Sequence, residues 1–289
     1  MTKAIRFPGN YAEFGFLFSL FFCSFLLTGC FSSDFQPCYK ETDISANIKK
    51  ICREEYKLNV VPLRAGNTLW VYAPLDHLLH AEFGKNPDKV FDEEMIEKAR
   101  NILTSISRVL LSSDRAPEFF VLDLADIKLG LDYSLTANLM DIKKSAAGGI
   151  PWNEANKRYV VGFQQSKMAI NDTSGGHLKI YDIKFSEFLS RQIAQRARII
   201  FQEEPIKKYF ILKGIDAGFQ DNKFIFGYSV VRISEPKEKI NISRKILEII
   251  TYCFKTYEFK DFSQVVIKDL LQGQSSIYEN KDIWARSIE

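Results

Sequence analysis

Three aspartates in VLDLADIKLGLD are the strongest candidates for chemistry in this sequence: Asp123, Asp126 and Asp132. They lie at the end of an apolar run that is typical of a buried strand, and open α/β sheets place their sites at such strand ends. Three carboxylates gathered there would bind a divalent cation through oxygen or serve as catalytic acid and base. Aspartates at strand ends more often cap turns, and the sequence favours that structural role.

Histidine is scarce, since the chain contains only three, and this limits the supply of general bases. His77 and His80 are three residues apart in DHLLHAE, with Glu82 nearby, so a helical turn would aim two imidazoles and a carboxylate at one metal ion. The two leucines between the histidines favour a loop that joins a strand to a helix. His177 follows a glycine pair and is interpreted as a turn residue. The sequence therefore predicts no bound metal and no other cofactor.

The sequence signatures of common enzymes are missing. There is no GxxxxGK[ST] phosphate loop, no GxGxxG, no HExxH and no GxSxG. Ser234 and Lys237 match Ser-x-x-Lys, but Pro236 between them would disrupt the helical turn that serine–lysine chemistry requires. These observations favour a non-enzymatic binding or scaffolding protein, with an enzyme that uses the three aspartates, or a small-molecule binder, as the alternatives.

The amino terminus has the pattern of an export signal. Lys3 and Arg6 precede residues 14–27, FGFLFSLFFCSFLL, which carry no charge. Such a run has the length of a signal-peptide core and is shorter than the roughly 20 residues that span a bilayer.

The apolar run ends in Leu27-Thr28-Gly29-Cys30. This ending resembles the lipobox of the bacterial lipoprotein family, which is an aliphatic residue, two small residues and a cysteine. The resemblance implies removal of residues 1–29, attachment of diacylglycerol to Cys30 and a protein held by lipid on the extracytoplasmic side of the cell membrane or the outer membrane. Residues 30–42 would form a polar tether and residues 43–289 the globular body. The expected partners are the membrane and another envelope protein or a glycan.

Three further cysteines follow the anchor. Cys38 and Cys52 would close a small loop near the tether if they formed a disulfide. Cys52 and Cys253 also lie on the apolar stripes of predicted helices, where cysteine behaves as a small buried hydrophobic residue. The sequence leaves both alternatives open.

The charge balance excludes one class of partner. The chain carries 39 basic and 36 acidic residues, a formal net charge of +3. So small an excess, scattered along the chain, does not generate the field that gathers nucleic acid. We therefore expect no nucleic-acid binding.

The hydrophobic pattern predicts an α+β or mixed α/β fold in which strand–helix–strand units recur and amphipathic helices pack on a mixed sheet. Helices are predicted at 43–57, 92–111, 186–203 and 241–257. Strands are predicted at 58–64, 67–74, 118–127, 133–142, 159–164, 177–183, 208–213, 222–233 and 263–268, followed by a tail, 272–289, that frays. The body divides into two expected lobes, 43–143 and 177–289.

A long glycine-bearing excursion, residues 145–177, joins the two lobes in this scheme. Long loops with their own aromatic residue are often functional, and tryptophan is enriched at binding hot spots. Trp152 is therefore a candidate binding residue, and 148–165 a candidate contact surface. The alternative is that the indole packs back against the edge of a sheet.

Overall fold

The structure, a computed structural model, describes residues 37–80, 90–236 and 240–285 and has a mixed α/β architecture, as predicted. The chain divides into two compact units, the first ending at Asp182 and the second beginning at Ile183. The predicted excursion belongs to the first unit, because its strand pairs with the sheet of that unit. Within the described ranges, none of the helices is both long enough and apolar enough to cross a bilayer.

The first unit is a five-stranded sheet with helices packed on one face. Its elements are α1 (Ile44–Tyr56), β1 (Val61–Ala65), β2 (Thr68–Leu75), α2 (Glu93–Leu111), β3 (Phe119–Asp126), β4 (Leu131–Asn138), α3 (Leu139–Ala146), α4 (Trp152–Ala155) and β5 (Val160–Gln165). The sheet order is β1-β2-β3-β4-β5. Strands β2 and β3 are parallel, and the other neighbours are antiparallel.

The second unit has a four-stranded sheet of related design. Its elements are α5 (Phe185–Ile200), α6 (Ile206–Tyr209), β6 (Phe210–Gln220), β7 (Lys223–Arg232), α7 (Ile242–Thr256), β8 (Gln264–Asp269), β9 (Ser275–Glu279) and α8 (Asn280–Trp284). The order is β6-β7-β8-β9, with β7 and β8 parallel.

The two units share one chain order: a helix, a β-hairpin, a crossover helix and a second hairpin. Helices α2 and α7 are the crossovers, because a parallel strand pair needs a long connection and both helices supply it. The hairpin turns correspond as well. Asn67 and Asn222 each end a hairpin turn, and their carbonyl oxygens accept from the amides of Glu118 at 2.9 Å and Ser263 at 2.8 Å. Two predicted strand–helix–strand units, β2-α2-β3 and β7-α7-β8, are thus parts of this larger motif, and a third does not form because residues 177–183 are not a strand.

The starts of the two crossover helices follow from local side chains. The carboxylate of Asp92 accepts from the amides of Glu94 and Met95 at the start of α2. Asn241 accepts from the amide of Arg244 at the start of α7. Asp43 occupies the same position before α1 but makes no capping bond, because a 3-10 turn, Glu41–Asp43, leads directly into that helix.

Three predicted elements were wrong. Strand β4 ends at Asn138, whose side chain accepts from the amide of Met140 and starts α3, so the expected strand to residue 142 does not form. Residues 177–183 form no strand. The tail does not fray over 275–284, because β9 pairs with β8 and α8 buries Ile283 completely.

Candidate functional site: a buried histidine–carboxylate cluster

The first sheet has one apolar face and one polar face. Leu69, Val71 and Ala73 belong to the apolar core, into which α1 and α2 also pack. Because strand side chains alternate, Trp70 and Tyr72 point to the opposite face. This second face carries the candidate site.

The strand register brings carboxylates onto that second face. Tyr72 on β2 is paired with Asp123 on the parallel strand β3. Asp132 on β4 is paired with Ala125, which lies two residues after Asp123 on β3. Paired residues and residues two apart share a face, so the tyrosine and both aspartates lie on one side of the sheet.

A segment that we call the strap, residues 172–182, covers this face. The hydroxyl of Tyr72 donates to the carbonyl oxygen of Asp172. The indole nitrogen of Trp70 donates to the carbonyl oxygen of Tyr181 at 3.0 Å. At the far end, the amide of Asn67 donates to the carboxylate of Asp182 at 2.8 Å. The strap is therefore held to the sheet at both ends.

The start of the strap is folded around one carboxylate. Asp172 accepts from the amides of Ser174 at 2.8 Å, Gly175 at 3.0 Å and His177 at 3.0 Å. It also accepts from the hydroxyl of Ser174 at 2.7 Å. Burial acts to raise the pKa of Asp172, but hydrogen bonds from the side chains and the amides of His177 and Ser174 outweigh it and hold the pKa well below its ordinary value.

His177 links the strap to the sheet. Its Nδ1 lies 2.6 Å from Oδ2 of Asp172, and its Nε2 lies 3.2 Å from both oxygens of Asp132. Carboxylates only accept, so both ring nitrogens donate together only when the imidazole is protonated. Burial acts to lower the pKa of His177, but the bond to Asp172 and the charge of Asp132 outweigh it, and the pKa is raised. The ring also meets Tyr72 edge-on, with 5.6 Å between centroids.

Asp123 is the group in this cluster with an unsatisfied oxygen. It is 4% exposed, and its Oδ1 has no hydrogen-bond partner among the described residues. Burial, with the neighbouring charge of Asp132, raises its pKa to about 7, and the positive charge of His177 opposes this shift. Asp123 therefore keeps its proton to a higher pH than an ordinary carboxyl group.

Asp126, the third predicted carboxylate, does not join the cluster. Asp126 is three residues beyond Asp123 on β3. Because successive strand side chains point to opposite faces, an odd separation places Asp126 on the other face of the sheet. Its oxygens accept from the amides of Leu78 at 3.1 Å, Lys128 at 3.0 Å and Leu129 at 2.9 Å. The turn-capping alternative holds for this residue.

No metal centre is formed by the predicted ligands. In the described parts of the chain, no group of three or more His, Cys, Asp or Glu side chains is arranged to hold a metal ion. The helical turn that would have aimed His77 and His80 together is not formed, because residues 76–80 are irregular and Leu78 between them is buried. Glu82 lies outside the described residues.

The other candidate residues from the sequence do not belong to the histidine–carboxylate cluster where the structure describes them. Cys52 is a buried free thiol, whose pKa is raised by burial, so of the two alternatives the structure has the thiol and not the 38–52 disulfide. Trp152 begins α4, and its side chain lies outside the described residues, as does Cys30. Within the candidate contact surface, Arg158 is buried against Asp141 at 2.7 Å.

Comparison with protein families, curated proteins and solved structures found no match to this chain.

We expect alanine at Gly175 to destabilise the first unit by about 2–4 kcal/mol, measured by urea denaturation. Gly175 has a φ of +75°, which strains any L side chain, and a Cβ there would lie 3.0 Å from Cγ of Tyr72, so the strap or the ring would also have to shift. Gly148 is the matched control, since it has a φ of +73° with open space around it. Its replacement should cost only the backbone strain, about 1–2 kcal/mol. Equal losses at the two positions would contradict tight contact between strap and sheet.

Proposed function

We propose that this chain is a lipid-anchored protein of the bacterial cell envelope that acts by binding and not by catalysis. The observation that carries the anchor is the sequence Leu27-Thr28-Gly29-Cys30 at the end of the uncharged run of residues 14–27. The thioether lipid at Cys30, with a further acyl chain where the new amino terminus is modified, would hold the body on the membrane durably.

The body would sit close to the bilayer surface. The chain joins the first unit earlier than the sequence suggested: the amides of Cys38 and Tyr39 both donate to the carbonyl oxygen of Ser112, at 2.8 and 3.1 Å. Cys38 is eight positions beyond Cys30, so the tether reaches roughly 28 Å at full extension. A partner that bridges to this protein would therefore be another component at the membrane surface, a protein or a glycan.

Burial of the carboxylates supports binding over catalysis. Asp123 and Asp132 are 4% and 2% exposed, beneath the strap and beside Tyr72. A catalytic acid or base must come within hydrogen-bond distance of its substrate. An enzyme built on these aspartates would have to lift the strap and break the His177 contacts before each turnover, whereas a binding protein needs the cluster only to hold its surface in shape.

The anchor is tested by replacing Cys30 with serine in the full-length chain. We expect the wild type to incorporate labelled fatty acid and to partition completely into the detergent phase, and the Cys30→Ser variant to lose the label and retain its signal. The serine hydroxyl is not the thiolate nucleophile that thioether formation needs. Cys38→Ser is the matched control, because it removes an exposed cysteine nearby and should leave labelling unchanged. An unlabelled wild type, or a labelled Cys30→Ser variant, would refute the proposal.

A further inference from the structure

The first unit contains a cavity of about 550 Å³ at the edge of its sheet where the parallel strands end. Leu75 ends β2 and Ile127 directly follows β3, and both line it. Open α/β sheets place ligands outside the carboxyl ends of parallel strands. A volume of this size is in the range of small-molecule pockets, roughly 300–1,000 Å³.

The floor of the cavity is apolar. Val60 and Ile102, from the end of the α1 connection and from α2, line it and are buried in the core of the unit. Leu75 adds a third core side chain. A ligand that reached this floor would remove apolar surface from water, which favours a ligand with an apolar body.

The rim of the cavity is basic. Lys49 on α1, Lys57 at the end of α1 and Lys98 on α2 line it, and among the described residues the one carboxylate in the lining is that of Asp76. Lys98 is paired with Glu94 at 2.6 Å. Lys57 donates to the neutral carbonyl oxygen of Glu54 at 3.0 Å. The rim therefore carries a net positive charge above an apolar floor.

We propose that this cavity binds a small amphiphilic anion, with its apolar body on the floor and its carboxylate or phosphate group among the three lysines. This inference rests on the proposed binding function and names its ligand class. Thr173, the second residue of the strap, lines the same cavity, so the strap that covers the histidine cluster also forms part of the binding-site wall.

Two fluorescent probes test the proposal on the mature polypeptide, residues 30–289 with Cys30→Ser, which retains every residue that the structure describes. The first is 1-anilinonaphthalene-8-sulfonate, an apolar body with one negative charge. The second, N-phenyl-1-naphthylamine, has the same body without the charge. We expect Lys49→Glu/Lys57→Glu to weaken binding of the anionic probe at least tenfold and to change binding of the neutral probe by less than about twofold.

Two further variants keep the test specific. Lys213→Glu/Lys268→Glu reverses two exposed lysines on the second unit, and binding of both probes should be unchanged. Thr173→Trp places a larger side chain at an exposed position in the lining and should weaken binding of both probes.

Octanoate or octyl phosphate should displace the anionic probe, and their relative potency would separate a carboxylate from a phosphate ligand.

Failure to bind the anionic probe, equal loss in the two lysine pairs, or displacement by neither competitor would overturn the cavity assignment. None of these outcomes bears on labelling of Cys30, which tests the anchor. An unlabelled full-length wild type, together with probe binding by the mature polypeptide, would refute the anchor and leave the cavity in place.

Discussion

Replacement of His177 by alanine is expected to lower the free energy of unfolding of the first unit by about 3–5 kcal/mol. The variant loses the cation that lies 2.6 Å from Asp172 and 3.2 Å from Asp132. The side chains of His177 and Asp132 are each 2% exposed, so water cannot replace the lost partner without lifting the strap. Removing one member of a buried pair leaves an uncompensated buried charge, and this cost exceeds the loss of packing alone.

The matched control for this prediction is His77→Ala. His77 is exposed, so its removal should change stability by less than about 0.5 kcal/mol. Urea denaturation near pH 6 measures both variants, and limited proteolysis reports whether the strap has been released. A loss below about 1 kcal/mol at His177 would mean that the strap is held by its backbone and tyrosine contacts and that the imidazolium contributes little.

The helices and most strands were predictable from the sequence because their apolar residues recur with regular periods. Ile48 on α1 and Ile102 on α2 lie on stripes with helical spacing, and both are fully buried. The continuous apolar run in β2 is typical of a strand covered on both faces, and helices cover one face and the strap the other. Periodicity does not show which strands pair in a sheet, so the motif that the two units share is visible only in the strand pairing.

The site was only half predictable. Of the three aspartates that the sequence groups by proximity, Asp123 and Asp132 share one face of the sheet, and Asp126 lies on the other face because strand side chains alternate. His177 lies 45 positions from Asp132, and its role depends on how the strap crosses the sheet. The local signal that was available was Asp172, since an aspartate before a serine and two glycines is typical of a turn closed by its own side chain.

The stability of the first unit is expected to fall as pH rises from 5 to 8, and Asp123 is the main cause. Its pKa in the folded protein is raised to about 7, against about 3.9 in an unfolded chain. The folded state therefore holds a proton that the unfolded chain releases. Stability from such a group is fully present below the unfolded pKa and is lost as pH rises through the folded pKa. Between pH 5 and pH 8 the loss is roughly 2–3 kcal/mol.

His177 and Asp172 limit the pH range of high stability, on the alkaline side and on the acid side respectively. The pKa of His177 is raised, against the effect of burial, by Asp172 and Asp132, so its contribution is also lost as pH rises through its folded value. The pKa of Asp172 is lowered by its hydrogen bonds, although burial opposes them, so its contribution is present above its unfolded pKa and is lost in acid. Maximum stability should thus lie at mildly acidic pH, about 4.5–6.

Asp123→Asn isolates the largest of these contributions, because the amide has a similar shape and does not titrate. Thermal melts across pH 4–9 should show a profile about 2–3 kcal/mol flatter between pH 5 and pH 8 than the wild type. Asp76→Asn, at a side chain 69% exposed, is the matched control and should leave the slope unchanged. If Asp123→Asn ran parallel to the wild type, the Asp123 carboxyl would already be ionised at pH 5. The flatter profile would instead establish that this buried acid is neutral in the folded state at pH 5, because burial and the neighbouring Asp132 disfavour its charged form.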